Sequence, residues 1–347
     1  MIVKAVLLIV VLAHGGFWFG GRPNRVDWTW NLPAAQIPAA EFRWRLQYGK
    51  IVMASGTVPL AAGKETGSLD VTLPEFRAPS DLVLHYDLVT AGAGDVLESG
   101  GVPLHGVPDG LLGQAGKLVA KKKIAVLDSN DGLADLMKGA GIDFRRIAGL
   151  SDLQLASPDI LIIGQDALGD VLAQDDLLDR ACAGANIVVL AQNRTKQTVG
   201  YALGDHSTRA ALAMAQRHPL LIGFTLEDMQ AWARCRDALR AVQLPANEPA
   251  HELLYWPVET PGKEASPIDA LAVTRTMAPA QKGQPAGRII LFQIPLSDWR
   301  DDPRGSMLMA NILEYTVTGA QPTLPPGERT PAGTQPQADS GDLLKRE

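Results

Sequence analysis

The sequence predicts an α/β chain with a doubly wound parallel sheet, preceded by an all-β sandwich. Two patterns predict it. From residue 28 to about residue 107, apolar and polar residues alternate in short runs punctuated by Gly and Pro. From about residue 121, solid apolar runs alternate instead with amphipathic stretches. Alternation marks strands with one buried face, and solid runs mark strands covered on both faces. The composition agrees: 347 residues, 46% hydrophobic and 20% charged, suit a globular chain of two ordinary domains or one large one.

The chain begins with a short positive start, Met1 to Lys4, and an apolar run, Ala5 to Ala13. That run is too short to span a bilayer but suits a signal-peptide core. The following His14-Gly15-Gly16-Phe17-Trp18 is a poor cleavage region. Residues 1–22 are therefore expected to be a signal peptide or a buried strand, or to follow an internal Met of a longer chain. The first reading places the protein outside the cytoplasm, in the periplasm or at a membrane.

Residues 23–107 are expected to form the sandwich. Phe42-Arg43-Trp44-Arg45-Leu46 alternates strictly, Tyr48-Gly49-Lys50 makes a turn, and Ile51-Val52-Met53-Ala54 returns as the partner strand. Gly67 to Leu73 and Leu82 to Leu88 supply two more strands, with His85 and Asp87 on the outward face. Residues 108–120, rich in Gly and Leu without periodicity, read as a linker.

Residues 121–318 carry the βαβ grammar. Ile124 to Leu127, Ile160 to Ile163 and Ile187 to Leu190 are the solid strands. Helices are expected over Gly132–Ala140, about Asp166–Ala183, Ala210–Gln216, from Thr225 and from about Pro303 to Thr316. Thr225 and Asp228 have the spacing of a helix cap, and Asp302-Pro303 suits a helix start. Leu271–Thr274 and Arg288–Phe292 read as a late hairpin across the polar loop 278–287. Residues 319–347, dense in Pro, Gly, Thr and charge, are expected to be disordered.

Several chemistries find no support. The net charge of −6 and a single basic run, Lys121 to Lys123, argue against nucleic acid. Cys182 and Cys235 make no disulfide framework, and no Cys/His spacing suggests zinc. There is no glycine-rich phosphate loop, and no cofactor is expected. A hydrolase elbow would need a nucleophile after a central strand, where Val189-Leu190-Ala191-Gln192-Asn193 offers Ala191. Asn247-Glu248-Pro249 matches a glycosidase acid/base tripeptide, but it sits in a Pro-rich loop with no barrel around it. No catalytic and no metal-binding residue is assigned.

Ligands of open α/β sheets sit beyond the carboxyl ends of the strands. Asp128, Ser129 and Asn130 after one strand, and Gln165 and Asp166 after the next, are candidates to bind a polar ligand. Capping of the next helices is the competing role. Asp298 and Trp299, between the last strand and last helix, are candidates to contact sugar; packing and capping compete there too.

His218-Pro219-Leu220-Leu221, Leu226 to Trp232, Gly287 to Gln293, and Asp301-Asp302-Pro303 leading to Asn311-Ile312-Leu313-Glu314-Tyr315 occur in a telling order. Together they resemble the C-terminal amidotransferase-like domain of some bacterial family-two glycoside hydrolases, of β-galactosidase or β-glucuronidase type. Phe42 to Gly56 resembles the immunoglobulin-like module that precedes that domain. The resemblance implies an immunoglobulin-like sandwich followed by a flavodoxin-like, class I amidotransferase-like sheet. It implies a non-catalytic accessory region, serving packing, oligomerisation or glycan contact beside a catalytic barrel that this chain lacks. Carbohydrate and such a barrel domain are the implied partners. The alternatives are a divergent amidotransferase-like hydrolase using Asp128, Asp166 or Asp298 with a metal, and a structural protein-interaction module.

Overall fold

The structure is a computed structural model and describes residues 8–12, 16–149, 152–153, 156–168, 174–207, 212–215, 218–233, 238–244, 251–257, 268–283, 285–296 and 299–319. It is a mixed α/β chain, mostly β, with four sheets and five helices among the described residues.

The described residues up to Val107 build two sheets. One has the order β1 (Leu8–Leu12), β3 (Pro23–Trp30), β6 (Thr66–Thr72). The other runs β2 (Phe17–Phe19), β8 (Val96–Val107), β7 (Ser80–Thr90), β4 (Ala40–Tyr48), β5 (Ile51–Leu60). All ladders are antiparallel except β2 with β8, which is parallel. The sheets meet face to face: Trp28 and Trp30 of β3 share a core with Phe42, Tyr86 and Leu88. A second core joins Val26 and Val71 to Leu46, Leu82, Leu84 and Leu104.

Three inward aromatic residues each face a glycine on the neighbouring strand: Trp28 and Gly67, Trp44 and Gly56, Tyr86 and Gly100. A Cβ on Gly67 would lie 2.0 Å from the Trp28 ring, so the ring occupies the space a side chain would need. Of the N-terminal expectations, Leu8–Leu12 forms a strand against β3; residues 1–7 and 13–15 lie outside the described residues.

Residues 108–120, expected as a linker, instead hold helix α1 (Leu111–Leu118), which buries Leu111, Leu112 and Ala115. Its apolar residues recur at i, i+1 and i+4, a spacing that the intervening glycines obscure in the sequence. After it comes an eight-stranded sheet. Its order is β10 (Arg145–Arg146), β9 (Ile124–Leu127), β11 (Ile160–Ile163), β12 (Asn186–Leu190), β20 (Arg288–Phe292), β19 (Ala272–Thr276), β17 (His251–Pro257), β15 (Leu212–Met214). The first five strands are parallel and the last three are added antiparallel, so the parallel sheet expected from the sequence is correct for its first five strands.

The solid runs divide their residues between two covered faces. Val126, Ile160, Ile162, Val188 and Ile290 pack against α1, α2 (Gly132–Gly139), α4 (Leu226–Ala233) and α5 (Pro303–Thr318). Leu161, Ile163, Ile187, Val189 and Leu291 pack on the opposite face against α3 (Gln174–Cys182). That second face is also covered by a four-stranded sheet of order β13 (Gln197–Thr198), β14 (Tyr201–Ser207), β16 (Ala238–Leu244), β18 (Ile268–Ala270). Sheet therefore stands where a doubly wound fold would place helix. The helix expected over Ala210–Gln216 is one such departure: Leu212–Met214 is strand β15, paired with β17. Only Gln174–Cys182 of the helix expected over Asp166–Ala183 is described as α3, and Asp166 itself lies in the turn after β11.

Helix α5 is buried from Pro303 to Thr316 and is framed as the sequence predicts, with Asp302 capping, Pro303 at its first turn and Gly319 beyond its end at φ 58°. The tail from residue 320 lies outside the described residues. No helix among the described residues is long and apolar enough to cross a membrane.

Candidate functional site

The chain runs from β9 through α2 to β10 on one side of β9, and β11 then pairs on its other side. This reversal makes a topological switch point between the carboxyl ends of β9 and β11, where Asp128 and Gly164 stand side by side. A Cβ on Gly164 would meet the Asp128 carboxylate at 2.6 Å, so only glycine lets the two strand ends approach this closely. At this switch point the chain's own groups bond to one another.

Asp128 is buried, and its Oδ2 accepts from the backbone N–H groups of Leu133 and Ala134, both at 3.0 Å. Its carboxylate thereby caps α2 from the end of the preceding strand. Ser129 and Asn130 are exposed; the Ser129 hydroxyl donates to the Gln165 carbonyl at 3.3 Å, and the Asn130 N–H donates to Asp128 at 3.4 Å. Gln165 Oε1 accepts from Leu296 N–H at 2.6 Å and from the Trp299 indole at 3.1 Å. Asp166, at φ 51°, accepts from the N–H groups of Asn193 at 2.5 Å and Arg194 at 3.2 Å.

Trp299 is only 7% exposed and packs beside Gly132 at the start of α2, which leaves no ring face for a sugar to stack on. An Arg300–Asp135 ion pair ties the same loop to α2. Asp298 lies outside the described residues, as do Cys235 and Asn247-Glu248-Pro249. Cys182 ends α3, half-buried and without a disulfide. Among the described residues, no group of three His, Cys, Asp or Glu side chains is arranged to hold a metal ion.

Two residues absent from the expected site complete the plug. Ala191 is buried after β12, and Gln192 beside it has all its side-chain atoms engaged. Its Oε1 accepts from Leu168 N–H at 2.9 Å; its Nε2 donates to the Gly164 and Leu190 carbonyls at 2.8 and 2.7 Å. The Gln192 N–H donates to Gln293 Oε1 at 3.0 Å, while Gln293 Nε2 is buried with no partner among the described residues. The sequence signal for this pair was a glutamine closing each of two solid apolar strands, where burial forces the amide to find partners.

The motifs behind the resemblance converge elsewhere, around α5. Asn311 donates to the carbonyls of Leu220 and Ile222 at 3.3 and 2.9 Å, and the His218 and Tyr315 rings lie 5.2 Å apart. Asp302 and Arg304, both buried, form a bidentate pair, with Nη2 2.6 Å from Oδ2. The Arg304 guanidinium sits 5.1 Å over Trp232, whose indole donates to the Pro295 carbonyl at 3.0 Å. Thr225 and Asp228 make the reciprocal cap the spacing predicts.

A further charged group lies where the first two sheets meet the α/β layers. His105 of β8 places Nδ1 2.9 Å from Asp81 and Nε2 3.2 Å from Asp228 of α4, with the Phe17 ring 4.6 Å away. Burial alone would lower this imidazole, but hydrogen bonds to Asp228 and Asp81 outweigh it and raise the group from 6.5 to about 9. Burial pushes the Asp228 carboxyl up; His105 and the Thr225 N–H and hydroxyl outweigh that and lower it overall. Phe17 and Phe19 continue the apolar core of the α/β layers, with Phe17 5.6 Å from Phe224. Nothing local in the sequence signals this group, because its three members come from three distant segments.

No protein-family model matches the chain, and no curated protein does. A superoxide reductase (neelaredoxin) from Ignicoccus hospitalis aligns over 28% of this chain and 79% of its own, with 8% identity and TM-score 0.21. The soluble domain of PmoD from Methylocystis sp. covers 28% of this chain and 88% of its own, with 12% identity and TM-score 0.20. A β-glucuronidase from Parabacteroides merdae covers 53% of this chain with 7% identity and TM-score 0.20, and the alignment spans 32% of that protein. At these scores the likenesses carry no argument about function.

Proposed function

We propose that this chain is a non-catalytic accessory region associated with glycoside hydrolysis, exported and working beside a catalytic barrel supplied by another segment or protein. The observation that carries the non-catalytic part is the filled switch point. Asp128, Gln165, Asp166 and Gln192 each accept hydrogen bonds from backbone N–H groups around the switch point, and the Trp299 indole donates to Gln165 as well. A hydrolase needs at least one such group turned toward substrate.

The glycoside association rests on the ordered motifs of the sequence, which the fold gathers around α5. An immunoglobulin-like identity for residues 23–107 is supported by the strand order β8, β7, β4, β5, to which Phe17–Phe19 adds a parallel strand from outside that range. A class I amidotransferase-like identity for residues 121–318 is supported by the order of its five parallel strands. In this reading the two modules present surfaces for packing, oligomerisation or glycan contact, and Asp128 is a structural cap.

The purified chain assayed with a panel of aryl glycosides is expected to release no aglycone above the uncatalysed rate. Turnover that disappears in Asp128→Asn or Asp166→Asn would overturn the proposal.

A further inference from the structure

The exposed apolar side chains are not spread evenly over the surface. Tyr48, Ile51, Val52 and Met53 are four of the seven large apolar residues exposed among the described residues, and all sit at the β4–β5 hairpin tip. Ile51 is 62% exposed and Val52 51%. Neighbours along a strand point to opposite faces, and the register agrees: Ile51 lies across from Tyr48, and Val52 across from Gln47. The tip is therefore bare on both faces. A protein groove fitted to one face of a strand would leave the other in water, whereas an acyl layer surrounds both. Backbone pairing does not account for the patch either. The bulge at Met53 and the missing N–H of Pro59 interrupt the ladder that a further strand on β5 would need.

Charge points the same way. From Phe42 to Lys64 the chain carries Arg43, Arg45, Lys50 and Lys64 and no carboxylate. Lys50 is in the turn itself, where its stem can lie along apolar surface while its ammonium stays among headgroups. Asp81, two residues past the final β4–β7 pair, is matched by His105 at 2.9 Å. Behind the tip, on the outer face, Arg43, Arg45, Ser55, Thr57 and Asp87 line a groove of about 320 Å³. Glu41 holds Arg43 at 2.8 Å, and the Ser99 hydroxyl donates to Asp87 at 2.6 Å. No side chain among the described residues pairs with Arg45, Ser55 or Thr57, so their donors are open to a ligand. Arg45 stands three residues from Tyr48, about 10 Å along the strand. The headgroup layer on each side of a bilayer is about 5–8 Å thick, so Arg45 stands near phosphate depth when the tip reaches the acyl chains.

We propose that the β4–β5 hairpin docks on an anionic phospholipid bilayer, with Ile51 and Val52 among the acyl chains and Arg45, Ser55 and Thr57 at the phosphates. Neither part suffices alone. A few apolar side chains give marginal, reversible attachment, and the cations supply the second signal. The inference stands on this hairpin and is independent of the glycoside reading.

Co-sedimentation of the full chain with lipid vesicles tests it. Wild type is expected to bind vesicles of equimolar phosphatidylglycerol and phosphatidylcholine about tenfold or more tightly than phosphatidylcholine alone. Arg45→Gln, which removes one cation, should weaken that binding about fivefold. Val52→Asp should abolish it at an unchanged melting temperature, and Val96→Asp, at an exposed apolar site on β8, should leave it unaltered. A wild type that ignores the mixed vesicles overturns the inference; if it also self-associates through the hairpin, the tip belongs to a second copy. Binding that survives Val52→Asp overturns it as well, as does equal binding to both kinds of vesicle. Should Val52→Asp lower the melting temperature, Ile51→Asp is read in its place.

Discussion

Asp302 and Arg304 are two charges taken almost wholly out of water, and their bidentate geometry under Trp232 is what makes that tolerable. Removing one partner of such a pair strands the other, at a cost of about 3–5 kcal/mol. Arg304→Met is expected to lower the urea midpoint by the equivalent of about 3 kcal/mol. The double substitution Asp302→Asn/Arg304→Met should recover most of that loss, because Asn keeps the cap without the charge. A single variant that unfolds at the wild-type midpoint would show that the pair contributes nothing. Asp302 as a cap was legible from its place before Pro303; its partner was not, since an arginine two residues on usually points to solvent. Asp128 was legible in the same partial way. The strand-end position marked it as ligand or cap, and only the 3.0 Å bonds to Leu133 and Ala134 decide for the cap.

At the level of strands and helices, what the sequence could express depended on how local the cause was. The solid runs over Ile124–Leu127, Ile160–Ile163 and Asn186–Leu190 were readable because burial on both faces leaves its mark within each strand. Helix α1 escaped notice because Gly113 and Gly116 hide a pattern of only three buried residues. Strand β15 looked helical because its alanine-rich run has strong helix propensity, which pairing with β17 overrides. Register was equally out of reach. The pairs Trp28–Gly67, Trp44–Gly56 and Tyr86–Gly100 join residues that no window of sequence contains together. Gly67→Val is expected to destabilise the protein by about 1–3 kcal/mol through overpacking against Trp28, read as a fall in melting temperature. Gly149→Val serves as the control, because Gly149 has no positive φ and a Cβ there meets nothing within 4 Å. Equal losses in the two variants would assign the cost to the loss of glycine and not to the ring.

For the molecule as a whole, His105 is the group that makes stability depend on pH across the junction. Both ring nitrogens face carboxylates, so the arrangement needs the imidazolium, with a proton on each nitrogen. A pKa raised from 6.5 to about 9 means its contribution is full below about pH 6.5 and vanishes as pH rises through about 9. The size is on the order of 3 kcal/mol before the exposure of Asp81 is discounted. Asp228 works in the opposite direction: its contribution is present above 3.8 and is lost as pH falls through its lowered value. The gap in unfolding free energy between wild type and His105→Gln should therefore narrow from pH 7 to pH 10; a constant gap would mean the carboxylates do not hold the proton. The same junction limits how the molecule can be taken apart. Strand β2 is hydrogen-bonded to β8, yet its two phenylalanines are packed with Phe224 and the helices beyond. A cut between Val107 and Leu111 would leave every ladder among the described residues intact in both pieces and an apolar scar on each. By its backbone the protein is two parts, and by its core it is one, so neither half could be inherited or exchanged without rewriting Phe17, Phe19 and the surface that receives them.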